Sequence, residues 1–130
     1  MVEFVDIYPS LCELAGLDMP SHLQGTSFAP LVENPNKKWK EGALSYWPLG
    51  RSNFQNLIMG YTVQTDRYRY TEWIKESSGE LMARDLFDHQ TDPDENTNIS
   101  LRPENADILN ELSLLLDRGN GWKKIAKDIQ

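Results

Sequence analysis

The sequence predicts an α+β chain: a small antiparallel β-sheet of about four strands, a C-terminal helix packed on it, and a further helix at the N-terminus. Three observations carry this. Apolar residues alternate with polar ones through the middle of the chain. They recur at three-to-four spacing near both ends, and clusters of Gly, Pro, Asn and Asp separate the periodic stretches.

The first helix is written in "EFVDIYPSLCELAGL", where Phe4, Ile7, Leu11 and Leu14 form an apolar stripe flanked by Tyr8, Cys12 and Ala15. Asp6 is expected as its N-cap, which places Pro9 in the first turn, and Gly16 as its C′ stop. Residues 18–40 carry Pro20, Gly25, Pro30 and Pro35 and read as an irregular connector with about one turn of helix. A strand is expected over Gly42–Trp47, ending at Pro48, and a polar loop over residues 49–56. In "LIMGYTVQT" the residues Leu57, Met59, Tyr61 and Val63 share one face of a half-buried strand. Asp66-Arg67 then turns the chain into a partner strand, Tyr68 to Ile74, with Tyr68 and Tyr70 on one face and Arg69, Thr71 and Trp73 on the other. A loop at residues 76–79 leads to a last strand through "LMARDLFD" and an acidic, turn-rich segment, "HQTDPDENTN". Pro103 opens the final helix, whose stripe is Ile108, Leu109, Leu112, Leu115 and Leu116, and Gly119 stops it. The organisation expected is a helix and connector over 1–40 and a sheet-and-helix unit over 41–130.

Composition narrows the function classes. The 130 residues are 39% hydrophobic and 25% charged, which are values of a globular chain with one core. A net charge of −7 argues against wholesale binding of nucleic acid or anionic membrane, and no apolar run nears the ~20 residues of a membrane span. The N-terminus, "MVEFVDIYPS", has acids where a basic leader would stand and runs straight into a helical pattern, so a piece of a longer chain is expected.

Chemistry is sparse. Cys12, the lone cysteine, lies on the apolar side of a helix with no His or Lys near it in sequence, the setting of a buried structural thiol. His22 and His89 stand in separate loops and lack the further ligands of a zinc site. Asp92, Asp94, Asn96 and Asn98 imitate the start of a calcium loop, but Thr97 replaces its Gly and Pro103 its bidentate Glu. A turn in which Asp and Asn cap their own backbone fits better. Asn98-Ile99-Ser100 satisfies the N-glycosylation pattern. No phosphate loop, nucleophile elbow or paired carboxylates appear, so no catalytic residue and no metal ligand is assigned. The substrate-binding candidates are Tyr46, Trp47, Arg51 and Asn53 in "SYWPLGRSNFQN", where aromatics beside a guanidinium and an amide suit a sugar or an anionic group. The same aromatics could instead plug the core, with Arg51 merely exposed. A third surface, Arg67 and Arg69 among Tyr68, Tyr70 and Trp73, reads either as a single-strand nucleic-acid platform or as an ordinary hairpin.

Three blocks, in order, resemble the C-terminal part of type I sulfatases: residues 2–35 with their Leu-Ala-Gly, Gly-x-Ser and Pro-Leu words, the hairpin "LIMGYTVQTDRYRYTEW", and "DLFDHQTDPDENTNIS". Within that family, Ile58-Met59-Gly60-Tyr61 with Tyr68-Arg69-Tyr70-Thr71-x-Trp73 looks most like iduronate-2-sulfatases. The resemblance implies the C-terminal subdomain of an alkaline-phosphatase-like hydrolase acting on sulfated glycans, exported to a periplasmic, extracellular or lysosomal space. It implies calcium and a formylglycine nucleophile in the parent and neither in this fragment: none of the seven prolines lies in a Cys/Ser-x-Pro-x-Arg setting, and the family's metal-binding acids lie in the large N-terminal domain. By the same resemblance the partner is an N-terminal sulfatase catalytic domain, the loop from Tyr46 to Asn53 faces the substrate cleft, and the lobe is inactive alone. The first helix would lose its packing surface and drive self-association or repack on the chain's own sheet.

Overall fold

The computed structural model describes residues 1–49 and 57–119. The chain forms two compact units, Met1–Ala43 and a second that begins at Leu44.

The first unit opens with a 3-10 turn, Phe4–Asp6, that runs into helix α1, Ile7–Leu14; a short helix α2 follows at Ala29–Glu33. Gly16 ends α1 as expected, with φ of +66°. The Gly16 and Leu17 amides donate to the Glu13 and Cys12 carbonyls at 3.1 and 2.9 Å, the pair of bonds that closes a Schellman motif.

Asp6 departs from expectation. It stands at the N-cap position of α1, yet its carboxylate makes no cap hydrogen bond there. It is 0% exposed and is the hub of the unit instead. The amides of Glu3 and Thr26 donate to it at 2.9 and 2.8 Å, and Lys40 Nζ reaches both its oxygens at 2.8 and 2.7 Å. Lys40 also pairs with Glu3. Ser10 Oγ donates to the Asp6 carbonyl at 2.5 Å and accepts from the Phe28 amide at 2.8 Å. The connector can come this close only because residue 25 is glycine: a Cβ there would lie 1.9 Å from the Val5 carbonyl oxygen.

These bonds turn α1 inside out. Its buried residues are Pro9, Ser10 and Cys12, small or polar, packed toward the connector. The apolar stripe, Phe4, Ile7, Leu11 and Leu14, is exposed, Phe4 to 92%.

The second unit is built on a four-stranded sheet, whose first strand opens on the last residue of the first unit, in the order β1-β2-β3-β4: Ala43–Leu49, Ile58–Gln64, Tyr68–Lys75 and Glu80–Asp88. The pairs β2–β3 and β3–β4 are antiparallel, with Val63 opposite Tyr70 and Tyr70 opposite Leu86. Helix α3, Ala106–Gly119, follows a 3-10 turn at Pro103–Asn105. Its Leu112 and Leu116 close a core with Tyr61, Val63, Tyr70 and Leu86, and Ile108, Leu109 and Leu115 flank it. The stripe expected from spacing is the one that packs. Buried Glu72 pins the helix from below, accepting from Tyr70 Oη at 2.8 Å and Ser113 Oγ at 2.7 Å. Burial first, and then that carboxylate, pushes the Tyr70 phenol up to about 12.

β1 continues through Pro48 to Leu49 rather than stopping before the proline. It is an outer strand, where a missing N–H is tolerated.

Candidate substrate-facing rim

β1 starts half-buried at Ala43 and Leu44 and is exposed from Ser45 to Leu49. Leu44 packs against the core, so alternation turns Tyr46 toward the α3 side of the sheet and Trp47 toward the opposite side. Tyr46 is close enough to Tyr61 to raise its phenol electrostatically, a small effect beside burial and the hydrogen bond to Glu76 that push Tyr61 far above the ordinary range. Neither candidate aromatic plugs the core: Tyr46 is 61% and Trp47 73% exposed. By the same alternation Leu49, also exposed, shares the Trp47 face, and Tyr46 stands on the other. Arg51 and Asn53 lie outside the described residues.

The hairpin resolves differently. Arg67 donates through Nε and Nη2 to Asp88 at 2.9 and 2.7 Å, a two-point pair that holds the Asp88 carboxyl below its usual range. Arg69 is bound to Glu95 and lies over the Phe87 ring, 5.2 Å from its centroid. Both arginines of the candidate platform are therefore matched by an anion, which is poor provision for a polyanion groove. His89 is fixed at both ring nitrogens, Nε2 to Glu95 at 2.7 Å and Nδ1 to Gln64 at 3.1 Å. Glu95 adopts φ of +56°, uncommon for a residue with a side chain, and is held there by His89 and Arg69. Among the described residues no three His, Cys, Asp or Glu side chains converge to hold a metal ion.

The acidic segment caps itself, as its composition suggests. Asp92 accepts from Asn96 Nδ2 at 3.0 Å and from the Thr97 amide at 2.8 Å. Asn98 is bound into the edge of β4, an arrangement that spacing does not announce, because its partners sit 12 to 14 residues upstream.

A family model described as N-sulphoglucosamine sulphohydrolase, C-terminal, matches residues 1–120. The chain belongs to that family. This sulphohydrolase C-terminal domain is 34% identical over 115 residues to a Delta 4,5-hexuronate-2-O-sulfatase of Bacteroides thetaiotaomicron, covering 87% of the chain and 22% of the relative. It is 30% identical over 102 residues to human arylsulfatase K, covering 78% of the chain and 19% of the relative. It therefore spans about a fifth of the length of these curated relatives. Among solved structures, a 2-O GAG sulfatase superposes with a TM-score of 0.70 at 31% identity, covering 95% of this chain and 25% of that one. The fold is the C-terminal part of a sulfatase of alkaline-phosphatase-like architecture.

Proposed function

We propose that this domain is the C-terminal lobe of a sulfatase of the iduronate-2-sulfatase kind, which removes 2-O-sulfate from uronate residues of sulfated glycans. The observation that carries the reading is a coincidence of two comparisons: one relative by sequence and one by structure both bear names with a 2-O-sulfate specificity. A uronate 2-O-sulfate is also the group an iduronate-2-sulfatase acts on, the likeness suggested by Ile58–Tyr61 and Tyr68–Trp73.

In this account the N-terminal catalytic domain is the partner and holds the calcium ion and the formylglycine that supply charge stabilisation and the nucleophile. The lobe does two things. The exposed stripe of α1 docks on that domain, which supports a partner outside this chain because an apolar helix face of this kind is not left in water. The end of β1 then stands at the cleft rim, where Trp47 stacks on a sugar ring, Tyr46 lines the rim on the other face of the strand, Arg51 grips the uronate carboxylate or a neighbouring sulfate at two points, and Asn53 bonds a hydroxyl. Without its partner domain, the α1 face pairs with a second copy of the chain.

The test is kinetic. In the full-length parent, Trp47→Ala and Arg51→Ala should each raise KM for a 2-O-sulfated uronate disaccharide roughly tenfold, equivalent to ~1.4 kcal/mol, with kcat within about twofold. Unchanged KM in both variants would remove the rim from the account.

A further inference from the structure

The pattern Asn98-Ile99-Ser100 is a glycan acceptor by sequence, yet its groups are spent on the fold. β4 is an outer strand of the sheet, and its free edge at residues 84–86 would expose unpaired backbone. The segment 98–100 covers that edge. Asn98 Oδ1 accepts from the Leu86 amide at 3.0 Å and from the Ser100 amide at 2.9 Å. Asn98 Nδ2 donates to the Arg84 carbonyl at 3.1 Å and to Asp85 Oδ1 at 2.7 Å. The Ile99 amide returns a bond to the Leu86 carbonyl at 2.9 Å, and Ser100 Oγ donates to the Arg84 carbonyl at 2.8 Å. Leu86 itself is a core residue, 0% exposed.

We infer that Asn98 is a closed acceptor: the folded domain uses this sequon as an edge latch for β4 and cannot carry a sugar on it without opening that latch. Glycosyl transfer forms a bond from Nδ2 to the anomeric carbon of the sugar. It breaks that carbon's bond to a lipid-linked diphosphate, which departs, and releases one Nδ2 hydrogen as a proton. The product amide keeps a single N–H. That N–H serves Arg84 or Asp85 but not both, and the sugar must occupy a direction in which a protein acceptor already stands within 3.1 Å. Asn98 as a whole is exposed, so what closes the site is the full use of its amide rather than lack of access. The inference is independent of which sulfate ester the parent cleaves.

The experiment uses the 130-residue chain prepared by chemical ligation with one N-acetylglucosamine, placed either on Asn98 or on Asn110, an exposed position of α3. Tm and amide hydrogen exchange at Leu86 are compared with those of the bare chain. The sugar on Asn98 should lower Tm by about 10 °C more than the sugar on Asn110, and release the Leu86 amide to fast exchange. Failure of the Asn98 form alone to fold supports the same conclusion. Equal Tm shifts for the two sugars, or a protected Leu86 amide beneath an Asn98 glycan, would overturn it.

Discussion

Single positions decide how close two pieces of backbone can come. At residue 60 an ideal Cβ would sit 2.7 Å from the Trp73 ring, whose Nε1 is fixed to Asp85 at 2.6 Å, so the indole cannot simply swing aside. Gly60→Ala should cost ~1–3 kcal/mol, read as a lowered urea midpoint together with altered tryptophan fluorescence. Gly25→Ala should be at least as damaging to the first unit, because the obstacle there is backbone. The Asp6–Lys40 pair is a third such position. Burial pushes the Asp6 carboxyl up, but Lys40 and the Glu3 and Thr26 amides outweigh it and hold the group below its ordinary 3.8. Burial likewise opposes the charge on Lys40, and Asp6 and Glu3 outweigh it to raise the group above 10.5. The signs follow. A lowered acid stabilises above its unfolded pKa and loses that contribution as pH falls through the folded value, so the acid limb lies below about pH 4. A raised base stabilises below about pH 10.5 and loses its contribution as pH rises through the folded value. Lys40→Met should cost about 3 kcal/mol at pH 7 and flatten the acid limb, measured by urea melts between pH 2.5 and 7. Spacing alone marks Asp6 as a helix cap. Its true partner is 34 residues away, and local spacing carries no trace of such a bond.

At the scale of elements, periodicity does well wherever the chain supplies its own cover. The stripe of α3 was legible because its partners, the alternating residues of β2 and β3, are in the same unit. Leu116→Ala, at a fully buried contact, should cost ~2–5 kcal/mol by denaturant titration, whereas Leu114→Ala on the exposed side should change stability by less than about 0.5 kcal/mol. The same reasoning finds α1 and reports correctly that one face is apolar, but spacing is silent on what covers a face. Small side chains at Pro9, Ser10 and Cys12, with the Ser10 hydroxyl bonded to the connector at Phe28, bring the other face inward. The candidate rim is half legible for a related reason. The exposure of Tyr46 and Trp47 follows from β1 running past the core at the sheet edge, a feature of topology rather than of sequence pattern.

For the whole molecule, the family match, the inside-out helix and the exposed end of β1 are the observations behind the proposal of a lobe that works against a second domain. The order of elements and the kinship were readable from the sequence; that the apolar face of α1 is left uncovered emerged only from burial. Alone, the chain should self-associate, with a mass by light scattering above one chain at micromolar concentration. Leu11→Asp should return it to monomer, since it places a charge in the stripe without touching the Asp6 hub. The central claim is that the lobe shapes a sulfatase cleft whose reacting groups lie elsewhere. Sulfate release from a 2-O-sulfated uronate disaccharide, with calcium, measured side by side for the 130-residue chain and for the full-length parent, tests it most directly. The account predicts turnover by the parent and none by the chain; appreciable turnover by the chain alone, or none on this substrate by an active parent, would contradict it.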